Sequence, residues 1–210
     1  MRTVDYGKVP VGVYLGSLAE RTAAPAGGAT AALNAAQAAA LLAMSARYCD
    51  GPKHAGHAET MSEIIAEADR LRHACVDLMA ADGESYGAVM AAYALPKDTE
   101  ERRALRSAAI AAALVTAAGP PAEVIAAAVS LLDLAQVLQP LVSLTIAPDV
   151  AAAVEAIRAA AATSRTNVEA NLSGITDPAV RGRLAGAVAD VDLLEARATE
   201  IIAAVRGRYA

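Results

Sequence analysis

Between Ala58 and Tyr93 the apolar side chains recur at the three-and-four spacing of a helical face, and this run constrains the fold more than any other part of the chain. Met61, Ile64, Ile65, Ala68, Leu71, Cys75, Leu78, Tyr86, Val89, Met90 and Tyr93 all fall on one face of a single helix. Leu95-Pro96 ends it, because proline breaks the hydrogen-bond ladder and pushes its predecessor out of helical geometry. One residue on the stripe is out of keeping with it: Asp82. A carboxyl shielded from water holds its proton more tightly, which makes Asp82 a candidate acid-base group. Two other readings stay open at this level: a small rotation that turns Asp82 to water, or a structural ion pair with an arginine such as Arg106.

The remaining segments are built alike. Hydrophobic residues make up 56% of the chain but aromatic ones only 3%, with no Phe or Trp, so Ala, Leu, Val and Ile must fill the interior through close helix approach. Ala is the best helix former, and strands favour β-branched and aromatic residues, so the expected class is all-α. Proline and glycine punctuation predicts an up-and-down bundle of about seven long Ala-rich helices. The first covers residues 11–21. The second follows the turn Ala24-Pro25-Ala26-Gly27-Gly28 and ends near Tyr48, and the third is the run 58–93. Asp98 with Glu101 reads as a capping box that opens the fourth, and Gly119-Pro120-Pro121 ends it. The fifth covers 122–138. Ala147-Pro148-Asp149 opens a sixth to near Leu172, and Asp177 caps the last, with Pro178 in its first turn. At 210 residues, with no linker or repeat, a single domain over 1–210 is expected.

Charge and composition exclude some classes of function. The net charge is −5 and no Lys/Arg cluster is present, which argues against a nucleic-acid partner. The uncharged run 22–46 exceeds the roughly 20 residues that span a bilayer. It carries Pro25, Gly27, Gly28, Asn34 and Gln37 in a background of Ala, so a buried helix is expected and no membrane. Cys49 and Cys75 read as reduced thiols of a cytoplasmic protein. Cys49, His54 and His57 share a short loop, but their spacing fits no closed zinc site and a fourth ligand is missing, so no metal is expected.

Asp82-Gly83-Glu84-Ser85-Tyr86, followed by Leu95-Pro96-Lys97-Asp98-Thr99-Glu100-Glu101, resembles the cyclodeaminase and cyclohydrolase family that processes one-carbon units on tetrahydrofolate. The family pattern here is Asp-x-Glu-x-Phe/Tyr, then Leu-Pro-Lys-x-Thr-x-Glu-Glu. The resemblance runs over nearly the whole chain. Ala24-Pro25-Ala26-Gly27-Gly28 is similar to the family's Pro-Gly-Gly-Gly-Ser segment, and Arg106 and Pro121 fall where the pattern has Arg and Pro. Asp149 with Val150-Ala151-Ala152 is similar to its Ser-Asp segment; Asn167-Val168, Asn171-Leu172 and Ile175-Thr176-Asp177 are similar to its closing stretch.

The resemblance implies roles. Asp82 matches the family's proposed proton donor, needed whether ammonia leaves a tetrahedral carbon on ring closure or water adds to the bridging carbon on ring opening. Gly27 and Gly28 place free backbone N–H groups at a helix start, where an anion or a pterin oxygen would bind. Tyr86, Lys97, Arg106 and Asp149 complete the expected substrate contacts: Lys97 and Arg106 on carboxylates, Asp149 on the pterin ring. Asn167 and Asn171, one turn apart, are expected to be structural. The substrate implied is a tetrahydrofolate derivative with no separate cofactor, and the assembly implied is a homodimer with the site near the subunit interface. The chain departs from the pattern at Ala26, Ala29, Ala80 and Pro148, and around Pro52 and His54. Those changes leave two alternatives: a relative redirected to another substrate, and a binding or scaffold module without turnover.

Overall fold

The computed structural model describes residues 4–209. Among them are seven α-helices: α1 Val11–Leu18, α2 Gly27–Arg47, α3 Ala58–Tyr93, α4 Glu100–Ala117, α5 Gly119–Leu138, α6 Ala147–Leu172 and α7 Pro178–Gly207. Two short 3-10 turns, Tyr6–Lys8 and Pro52–His57, precede α1 and α3. The described residues contain no strand, and the chain is all-α as expected.

Helix α2 lies at the centre, packed against α3, α5 and α6. Ala31, Ala32, Ala35, Ala38 and Ala39 are fully buried there, on several faces of the helix. A helix that is apolar all round has to be enclosed by protein or lipid. By length and composition Gly27–Arg47 and Glu100–Leu138 are both apolar enough to cross a membrane, but most of α2 is enclosed by its neighbouring helices. Its methyl side chains let those neighbours approach closely. The larger side chains Leu131, Leu132, Leu138, Ile157 and Leu194 fill the space between α5, α6 and α7.

Three boundaries differ from expectation. Helix α1 stops at Leu18, before the turns of residues 19–25. Helix α4 is capped by Thr99, whose hydroxyl accepts a hydrogen bond from Arg102 N–H at 3.2 Å, and not by Asp98. Asp98 instead pairs with the Arg102 guanidinium at 2.7 Å; an acidic group one residue before the cap is free to reach a side chain four residues on. Finally, only Ala118, itself helical, separates α4 from α5, because Pro120 and Pro121 need no N–H donor in a first turn and so open α5. Asp177 caps α7 as expected, accepting from Ala179 N–H and Val180 N–H.

Candidate active site

The site is built where α2 begins. Gly27 opens the helix, and Ala26 before it, in extended geometry, has no side chain able to cap the first turn. The first four N–H groups of any helix lack partners within it. Here a residue from another helix supplies one: the Asp82 carboxylate of α3 accepts a hydrogen bond from Ala29 N–H. Two glycines permit this approach. A Cβ on Gly28 would overlap the Asp82 carboxylate, and a Cβ on Gly83 would lie 3.0 Å from Ala24 Cβ. The apolar stripe therefore does carry Asp82 to the interior, against α2.

Asp82 opens onto a cavity of about 360 Å³ walled by the segment Thr22–Gly28, by α3 and by α6. No Lys or Arg lines it among the described residues, so Asp82 is its one carboxylate and faces no cation. Arg106 is engaged elsewhere: its Nε and NH2 donate to the Tyr93 carbonyl at 3.2 and 3.1 Å, and its guanidinium lies 5.5 Å from the Tyr93 ring centre. Among the described residues, Asp82 has no ion pair with Arg106 or another arginine. Burial pushes the Asp82 carboxyl above the ordinary carboxylate range, and the Ala29 N–H opposes that in part. The net direction is up. The carboxyl thus combines a tightened proton with a fixed orientation, and an adjoining cavity in which a substrate can take up that proton.

The raised value also predicts a stability effect. The folded chain holds the Asp82 proton more tightly than the unfolded chain, so the contribution favours folding below the ordinary carboxylate value and is lost as pH rises through the higher folded value. At neutral pH, Asp82→Asn removes a buried charge while keeping an acceptor for Ala29 N–H. Thermal denaturation of the variant should show a higher midpoint than wild type at neutral pH, with the difference disappearing in acid. Equal midpoints at neutral pH would contradict the assignment.

Of the residues expected at the site, Gly27, Gly28, Asp82 and Tyr86 line the cavity together. Lys97, in the exposed loop between α3 and α4, does not line it, nor does Arg106 on α4 or Asp149 in the first turn of α6. Asn171 is structural as expected, its Nδ2 donating to Asn167 O at 2.9 Å and to Ala117 O at 3.5 Å. Ser85 and Asn167 also line the wall. Ser85 had no signal beyond its place three residues after Asp82; Asn167 had one in its pairing with Asn171, which pointed to structure instead. A larger cavity of about 650 Å³ lies at the other end of α2, beside Cys49 and His54. Its lining sets Arg47, Asp50 and His54 among small and apolar residues.

Residues 10–190 match the family model described as formiminotransferase-cyclodeaminase. The chain belongs to this family. A methenyltetrahydrofolate cyclohydrolase of Methylorubrum extorquens is 30% identical over 201 residues, covering 93% of this chain and 97% of that protein. The formimidoyltransferase-cyclodeaminase of Sus scrofa is 29% identical over 176 residues, but the match takes in 83% of this chain and only 32% of that longer protein. Among solved structures, a formiminotetrahydrofolate cyclodeaminase from Thermotoga maritima superposes with a TM-score of 0.86 over 97% of this chain and 99% of the other, at 23% identity. That likeness establishes a cyclodeaminase-type fold. It leaves the chemistry to the cavity and the closer relatives.

Proposed function

We propose that this chain is a folate one-carbon enzyme that opens the bridged ring of 5,10-methenyltetrahydrofolate by hydrolysis. The observation that carries the proposal is the Asp82 carboxyl, its proton held more tightly by burial, set against Ala29 N–H and facing a cavity that no Lys or Arg lines among the described residues. The cyclohydrolase from Methylorubrum, matched over nearly its full length, supports the direction. In the reaction, water adds to the carbon bridging N5 and N10 and loses a proton. The tetrahedral carbon then breaks its bond to N5, that nitrogen takes a proton, and the hydroxyl left on the carbon gives up its own as the formyl C=O forms on N10, so one proton is released overall. Asp82 supplies the proton to the departing nitrogen, and its carboxylate recovers the one that water gives up. Gly28 keeps space for the carboxyl. The backbone N–H groups of Gly27 and Gly28, at the positive end of α2, offer hydrogen-bond donors to the oxygen that becomes the formyl carbonyl. Tyr86 lines the same cavity.

Ring closure with loss of ammonia is the second reading, favoured by the names of the other relatives. There N10 attacks the formimino carbon on N5 and loses its proton, and Asp82 protonates the formimino nitrogen, which then leaves as ammonia. Loss of the methenyl chromophore and ammonia release from the 5-formimino compound, assayed side by side, separate the two directions. The bonds made and broken all lie on the folate, and the protein moves only protons, so the proposal includes no resident cofactor. Cys49 and Cys75, buried and unpaired, support a reducing, cytoplasmic location.

The proposal extends to a homodimer. Tyr86, Met90 and Tyr93 on α3 and Leu105 on α4 are large apolar side chains left exposed together with Leu95 between the helices, and Tyr86 belongs to the cavity wall as well. A second copy over this surface would cover the apolar side chains and close the site. Light scattering at micromolar concentration should give a dimer mass, and Met90→Lys with Leu105→Lys should give the monomer. A monomeric wild type would refute the dimer.

A further inference from the structure

Helix α6 brings two asparagines to the cavity wall, and they are used differently. The Asn171 side chain is committed, tying α6 to itself and to the end of α4 through the carbonyls of Asn167 and Ala117. The Asn167 side chain, half-buried in the same wall, has no hydrogen-bond partner among the described residues. Its neighbours in the lining include Ala117, Pro121 and Ala170, whose side chains offer it nothing polar. A carboxamide in such a wall keeps its hydrogen bonds to water only while the cavity is empty. A ligand that displaces the water must replace those bonds or bind weakly.

We propose that Asn167 is the specificity-determining residue of this cavity, holding the 2-amino-4-oxo lactam edge of a pterin head group through its free side-chain amide. A carboxamide presents one acceptor oxygen and two donor hydrogens, and the lactam edge presents the matching ring N–H and carbonyl. Charge agrees with this placement. The lining carries one carboxyl and, among the described residues, no cation for an anionic tail, so the positively charged, methenyl-bridged head enters and the benzoylglutamate tail stays outside. On the pterin the 4-oxo group lies beside N5, which places the lactam edge and the bridging carbon close together. One small cavity can therefore hold the edge on Asn167 and the reacting carbon near Asp82. At about 360 Å³ it lies toward the small end of ligand pockets, in keeping with a head group alone.

This inference rests on the folate reading above, and the test separates the two. Wild type, Asn167→Leu and the nearly isosteric Asn167→Asp are compared in turnover of methenyltetrahydrofolate and in binding of tetrahydropterin, which lacks the benzoylglutamate tail. Losing a hydrogen bond that the cavity cannot replace should raise KM and weaken tetrahydropterin binding about tenfold in Asn167→Leu. The kcat should stay within about threefold and its pH dependence should not move, because Asp82 is untouched. Asn167→Asp, which keeps the shape but loses the amide donors, should shift KM in the same direction and controls for misfolding of the leucine variant. Unchanged KM in both variants beside an active wild type overturns the role of Asn167 alone. A wild type that neither turns over the folate nor binds tetrahydropterin overturns the folate reading and this inference with it.

Discussion

Asp82→Asn should lower kcat by about a thousandfold with little change in KM, since a positioned general acid contributes roughly 10²–10⁴ in rate. The asparagine keeps the volume of the side chain and an oxygen for Ala29 N–H, so the start of α2 stays capped and the cavity keeps its shape. Only the transferable proton is lost. The same variant should be more stable than wild type at neutral pH, and the two effects together are diagnostic. A residue whose only task is to cap α2 would show neither the loss of turnover nor a gain in stability confined to neutral pH.

Gly28→Ala should be nearly as damaging to turnover while leaving all ionisable groups in place. In a helix interior Ala is favoured over Gly by about 1 kcal/mol, and in isolation the change would stabilise α2. At this position the added methyl overlaps the Asp82 carboxylate, and crowding of that kind costs about 1–3 kcal/mol. The two contributions oppose each other, so the net change in stability should be modest. The carboxyl, however, has to leave its place against α2, and turnover should fall about a hundredfold or more. Gly27→Ala is the comparison, because a Cβ there meets no heavy atom within 4 Å and its loss should be the smaller of the two. Kinetics and thermal midpoints of both variants check this directly. Equal, small losses would mean that the close approach of Gly28 to Asp82 has no catalytic importance.

Much of the architecture is legible in the residues because it is local. The three-and-four spacing that defines α3, the proline after it and the Asp177-Pro178 start of α7 each act through neighbours in the chain. Asp82 is legible for the opposite reason: an acid on an apolar stripe has no local explanation, so a tertiary one is required. What stays hidden depends on the direction in which a side chain points. Short motifs do not say whether Arg106 faces a ligand or the Tyr93 carbonyl. Nor do they say which of two asparagines one turn apart is spent on backbone carbonyls and which is free. The role of Gly28 needed the packing of α2 on α3, since its sequence suggests only an ordinary helix start. The same packing changes the reading of the Ala-rich turn before α2: its missing side-chain cap is matched by a carboxyl from another helix.

The central claim is that a carboxyl held by the start of α2 passes a proton in a folate ring opening. The most direct test follows the methenyl chromophore with purified wild type and Asp82→Asn from acid to neutral pH. Wild type is expected to accelerate its loss far beyond buffer, with a rate that depends on a group titrating above the ordinary carboxylate range, and Asp82→Asn is expected to lose both the acceleration and that dependence. Loss no faster than in buffer, or a variant indistinguishable from wild type, would contradict the account.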